Sequence, residues 1–162
     1  MRTRNAWQAL ADVHDTATRS RNMAAIKGKD TRPELILRSG LHARGFRFRL
    51  HHKKLPGKPD LVFPKYRAVL FANGCFWHGH ECHLFKWPKS REEFWRTKIG
   101  GNVERDQRNA ADLQSAGWRI GVVWECALKG KWRRDTGDVI DTVATWLSSD
   151  ANNLCVESRL VD

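Results

Sequence analysis

Long apolar runs are missing from this chain. No stretch approaches the roughly 20 consecutive apolar residues that a membrane-spanning helix requires. Arg2, Arg4 and Asn5 stand where an export signal needs an apolar core. Cysteine is sparse, with 4 residues, and these sit among His and Asp, so a reducing compartment and a metal site fit better than a disulfide framework. Acidic residues are also short: 18 Asp+Glu face 29 Lys+Arg, a net charge of +11 with pI near 10.0. That balance points to an anionic partner.

The charge is unevenly spread. Residues 1–60 hold 14 Lys+Arg against 5 Asp+Glu, and the remainder 15 against 13. A basic first third suits a phosphate backbone, whose counterions are released as each phosphate is neutralised. The competing reading is a merely solvated basic surface. Eight Trp favour nucleic acid, because indoles stack on bases, although several must lie in the core.

At 162 residues the chain is expected to form one domain. Residues 1–30 read as a basic arm carrying Arg19, Arg21, Lys27 and Lys29, residues 31–148 as the folded domain, and 149–162 as a tail without pattern. Thr31-Arg-Pro-Glu34 resembles a capping box opening a helix through Leu35, Leu37 and Leu41, closed by Gly45. Phe46–Leu50 alternates as a strand with one wet face. A turn-rich basic loop, His51–Lys58, then leads into short apolar strands at Leu61–Phe63 and Ala68–Ala72. Residues 73–101 have little pattern beyond a short helix near Arg91–Ile99, and a loop of that length is usually functional. A second helix over Val103–Ala116, a strand over Trp118–Trp124 and a helix over Asp138–Leu147 complete an alternating α/β chain.

Asn73–His83 is the densest chemistry, with five of eleven positions His or Cys. In an extended segment His78, His80 and Cys82 would share a face, and imidazole and thiolate are the ligands zinc prefers. The alternatives are buried cysteines with solvated histidines, or a Cys75–Cys82 disulfide. A second signal is Gly57-Lys-Pro-Asp60 leading into a strand, which resembles the Pro-Asp half of the PD-(D/E)xK nuclease motif. Such a carboxylate holds Mg²⁺, which polarises the scissile phosphate and lowers the pKa of attacking water. The acid-x-Lys half is absent from Ala68–Ala72.

Several blocks taken together resemble the very short patch repair (Vsr) endonucleases. They are Thr18–Met23, Pro56–Asp60, Val69–His78, Phe94-Trp95, Lys98–Asp106, Gly117–Arg119 and Val123–Cys126. The likeness spans about Asp12 to Gly130. It implies a restriction-endonuclease-like fold, with a central mixed sheet flanked by helices. The implied activity is a Mg²⁺-dependent nick 5′ to the T of a T·G mismatch left by 5-methylcytosine deamination at a methyltransferase site. It implies Asp60 and the Ala72 carbonyl as Mg²⁺ ligands, His78 as general acid/base and Glu34 as a second acid. It implies a structural zinc on His80, Cys82, Asp106 and Cys126, which leaves Cys75 dispensable. Phe76, Trp77 and Trp95 would form a wedge in the base stack, with Arg19, Arg21 and Lys58 among the DNA contacts. The expected setting is a monomer in the bacterial cytoplasm, bound to the nucleoid when on DNA, with a mismatch-repair matchmaker as a candidate partner. Asn73 departs from the His that family members carry there, and Asn cannot titrate as a base. The rival readings are a restriction-type or structure-specific endonuclease, and a zinc-stabilised DNA-binding module without catalysis.

Overall fold

The computed structural model describes residues 29–159. Five strands form one mixed sheet in chain order: β1 (Arg49–Leu50), β2 (Leu61–Phe63), β3 (Ala68–Asn73), β4 (Arg119–Trp124) and β5 (Asn153–Val156). β1, β2 and β3 pair antiparallel, while β3, β4 and β5 run parallel. Helix α1 (Arg32–Ala43) precedes the sheet, α2 (Glu92–Ser115) lies between β3 and β4, and the short α3 (Glu125–Leu128) and α4 (Thr136–Leu147) lie between β4 and β5.

Strand alternation sorts the core into two layers. Leu61, Phe63, Ala68, Leu70 and Val123 pack on one face against Leu37 and Leu41 of α1 and Val139, Ile140 and Val143 of α4. Val62, Val69 and Ile120 point the other way onto Leu113 of α2. Each such buried side chain contributes about 1.5–3 kcal/mol, which fixes the strand register. α1 and α4 touch closely at Gly40, where a Cβ would lie 2.6 Å from Ile140 Cγ1. Arg119 clamps the sheet to α4, donating to the carbonyls of Tyr66, Trp146, Leu147 and Ala151 at 3.0–3.1 Å.

Three local expectations need correction. The two helices expected around Gly100-Gly101 are one continuous helix of 24 residues, α2. Each glycine costs about 1 kcal/mol of helix propensity, and burial of Trp95, Ile99 and Leu113 along α2 offsets it. The strand expected over Phe46–Leu50 pairs only at Arg49 and Leu50, although Phe46 and Phe48 face the core as the alternation requires. The segment 149–162 is more than a tail, since β5 joins the sheet beside β4. Among the described residues no helix is long and apolar enough to cross a membrane.

Candidate active site and metal centre

Asp60 precedes β2, and its neighbours come from α1 and β3. The tight turn before it uses left-handed backbone at Gly57 (φ +74°) and Lys58 (φ +48°), with the Lys58 N–H bonded to Leu55 O at 3.1 Å. The Asp60 side chain is 17% exposed, and Ala72 N–H donates to its Oδ2 at 2.7 Å. Glu34 lies beside it, the one buried charged residue among those described. Burial pushes the Asp60 carboxyl up from 3.8 to about 6; the Ala72 bond opposes this and the Glu34 charge adds to it.

The capping box forms only in part. Thr31 makes no side-chain cap, while Glu34 Oε2 accepts from Asp30 N–H at 3.0 Å and from Arg38 Nη2 at 2.9 Å. Arg38 Nη2 also lies 2.7 Å from Asp30 Oδ1 and 2.8 Å from His51 Nε2. Its guanidinium holds the Asp30 carboxyl below the usual carboxylate range.

Residues 74–79 form turns rather than an extended run, with His78 N–H to Gly74 O at 3.2 Å, His80 N–H to Cys75 O at 2.9 Å and Gly79 at φ +64°. His78 and His80 therefore separate instead of sharing a face. His78 Nδ1 meets Asp106 Oδ2 on α2 at 2.6 Å. His80 joins Cys75, Cys82 and Cys126, whose ligand atoms all lie within 4.8 Å of one another. Asp106, expected in the sulfur cluster, is not there; Cys75, expected to be dispensable, takes its place. The reason is the turn: it folds the chain back so that Cys75 returns to His80, while Asp106 is held by His78.

This Cys₃His set has its own supporting shell. Leu84 N–H donates to Cys82 Sγ at 3.4 Å and Ser158 N–H to Cys126 Sγ at 3.3 Å. His80 stacks on Trp124 with centroids 4.2 Å apart, and its Nε2 meets Glu157 Oε2 at 2.8 Å. Burial pushes the Cys75 and Cys126 thiols up. All four cysteines are free thiols, so a Cys75–Cys82 disulfide is not formed.

The expected wedge residues form one aromatic cluster. Phe76 contacts Trp77, Trp95 and Phe85 with centroids 5.1, 5.3 and 5.9 Å apart. Phe76 and Trp77 are partly exposed, whereas Trp95 is 0% exposed and forms the floor beneath them. Lys58 is exposed on the turn before Asp60. Arg19 and Arg21 lie outside the described residues.

Sequence reasoning missed Arg38, His51, Glu157 and the partnership of His78 with Asp106. Arg38 stands one helical turn after Glu34, a spacing that could have revealed it. The other partnerships span 13 to 77 residues of chain and carry no local signal.

Residues 11–84 match the family described as DNA mismatch endonuclease Vsr. The DNA mismatch endonuclease Vsr of Escherichia coli K12 is 46% identical over 150 residues, 93% of this chain and 96% of that protein. The type II nicking enzyme V.XorIIP of Xanthomonas oryzae is 56% identical over 106 residues, covering 65% of this chain and 78% of the relative. A type II nicking enzyme of Neisseria meningitidis serogroup A, V.NmeAIP, is 45% identical over 122 residues, 75% of this chain and 87% of its own. With near full-length coverage at this identity, the chain belongs to the Vsr family of DNA mismatch endonucleases.

Proposed function

We propose that this chain nicks one DNA strand 5′ to the T of a T·G mismatch within a methyltransferase recognition site, initiating very short patch repair. The observation that carries the reading is the pair of adjacent, desolvated carboxylates, Asp60 before β2 and Glu34 on α1, in a strongly basic chain. Family membership narrows the reaction to mismatch nicking, and relatives named as nicking enzymes support cleavage of a single strand.

The donor sets fit two different metals. Asp60 is a hard oxygen ligand, largely buried with the Glu34 charge beside it, which suits Mg²⁺, with the Ala72 carbonyl as the second protein ligand. When bound, Mg²⁺ supplies charge that polarises the scissile phosphate and favours ionisation of the attacking water. Three thiols and one imidazole suit a structural zinc on Cys75, His80, Cys82 and Cys126. Glu157 would orient His80 from behind, and Ser158 and Leu84 N–H groups would stabilise the sulfur charge.

The chain's own residues do the rest. Asp106 accepts the His78 Nδ1 proton, which leaves His78 Nε2 to take or give a proton at the reacting oxygen. Phe76 and Trp77 would enter the stack beside the mispair, where unstacking costs least, supported from below by Trp95. Lys58 and the basic arm with Arg19 and Arg21 would hold phosphates. The mixed sheet with helices on both faces supports a restriction-endonuclease-like scaffold. A monomer acting in the bacterial cytoplasm, with a mismatch-repair matchmaker as partner, completes the proposal.

The test is a nicking assay with Mg²⁺ on matched and T·G duplexes across a panel of flanking sequences. A single nick 5′ to the mispaired T is expected. Double-strand cleavage of matched duplex would favour a restriction-type enzyme, and binding without cleavage a DNA-binding module.

A further inference from the structure

Arg38 and His51 stand beside the carboxylate pair without a role in the mechanism above. Arg38 Nη2 carries two hydrogens and offers no lone pair; it lies 2.8 Å from His51 Nε2, 2.7 Å from Asp30 Oδ1 and 2.9 Å from Glu34 Oε2, so His51 Nε2 accepts a hydrogen that it shares with a carboxylate. Its proton is then on Nδ1. That atom lies 4.0 Å from Asp60 Oδ1, too far for a hydrogen bond, so the N–H faces the reacting region unspent. The backbone agrees: His51 is left-handed at φ +47°, and its N–H is tied to Asp60 O at 3.2 Å. Strain of this kind in a non-glycine residue persists only where its surroundings fix it. Asp30 and Glu34 anchor Arg38 at 2.7 and 2.9 Å, so His51 is held at its ring by a fixed Arg38 and at its backbone by Asp60.

We propose that His51 is a further residue of the cleavage site, a donor whose Nδ1–H binds a non-bridging oxygen of the phosphate being cut. Arg38 is the positioning residue that fixes its tautomer. This rests on the nicking reaction proposed above.

Three variants separate the two ring nitrogens. His51→Asn places an amide where Nδ1 was, His51→Gln places one where Nε2 was, and His51→Leu supplies neither. Single-turnover nicking of a T·G duplex is measured with thermal stability and duplex affinity. Loss of one preorganised donor predicts a slowing on the order of 100-fold for Leu. Asn should recover most of that rate, and Gln should remain with Leu, all three with native melting and binding. Recovery by Gln but not Asn, wild-type rates with Leu, or equal losses in all three overturns the proposal. A wild-type protein that nicks no duplex overturns the functional reading and this one with it. Nitrogen-15 shifts of histidine in the DNA-free protein give an independent readout. A proton-bearing Nδ1 and bare Nε2 at His51 are expected, and the opposite tautomer contradicts the assignment.

Discussion

Two clusters of titratable side chains are fed by β3 and the turn that follows it. Ala72 reaches Asp60 from within the strand, and Cys75 reaches His80, Cys82 and Cys126 only two residues after Asn73, the last residue of β3. The first cluster is made of carboxylates with an arginine and a histidine, the second of three thiols and a histidine. Hard oxygens bind a hydrated, exchangeable cation, while soft sulfur and nitrogen close around an ion that stays. The contrast also separates the duties of the three nearby histidines. His51 faces the carboxylates, His80 the sulfurs, and His78, between them in sequence, is held by Asp106 on α2. The carboxylate cluster and the sulfur cluster thus draw on the same strand but share no side chain.

The largest expected effect breaks the first cluster alone. Asp60→Ala should reduce nicking to background while affinity for the T·G duplex survives or tightens, because the basic surface keeps its grip. Nicking and gel-shift measurements on one preparation check this, with zinc content unchanged. Breaking the second cluster should do the reverse. Cys75→Ala should cost several kcal/mol of stability and the bound zinc, as severely as Cys82→Ala, read by melting and elemental analysis.

Asp106 decides between the two regions. Asp106→Ala should slow nicking by about 10²-fold or more, the scale of general acid–base contributions, and leave zinc stoichiometry intact. Loss of zinc in this variant would return Asp106 to the sulfur cluster.

A smaller effect concerns stability and pH. The Asp60 carboxyl titrates at about 6 when folded against an ordinary 3.8, so the folded state holds the extra proton between those values. Its favourable contribution is complete below 3.8 and disappears as pH rises through about 6. Above that pH the buried charge costs at most about 3 kcal/mol. In Mg²⁺-free protein, Asp60→Asn should therefore raise the melting temperature at pH 7.5 and leave it unchanged near pH 3.5. The smallest effect is on selectivity. Truncating Phe76 and Trp77 to Ala should lower preference for T·G over T·A by roughly 10-fold, the worth of about one stacked base. Competition nicking of the two duplexes reads it.

Much of the first cluster was legible in sequence. Pro59-Asp60 before an apolar run marks a carboxylate at a strand start, and Thr31–Glu34 marks a helix beginning there. The density of His and Cys over residues 73–83 flagged the second. Which of those residues belong together was not legible, because assigning His78 and His80 to one face assumed an extended backbone. Gly79, in left-handed geometry, turns the chain instead and sends them apart. Gly100-Gly101 likewise suggested a helix boundary where burial of Trp95 and Ile99 carries α2 straight through. The partnership of His80 with Glu157 depends on β5 pairing with β4, a contact that no local pattern encodes.

The division of labour between oxygen and sulfur is tested most directly by following metal content and nicking together through one chelation cycle. Protein purified without added zinc is dialysed against EDTA, assayed, and then resupplied with Mg²⁺ alone. One zinc per chain should survive the dialysis while nicking of the T·G duplex vanishes, and Mg²⁺ should restore it. Nicking that persists without Mg²⁺, or that returns only when zinc is added, would contradict the separation of the two centres.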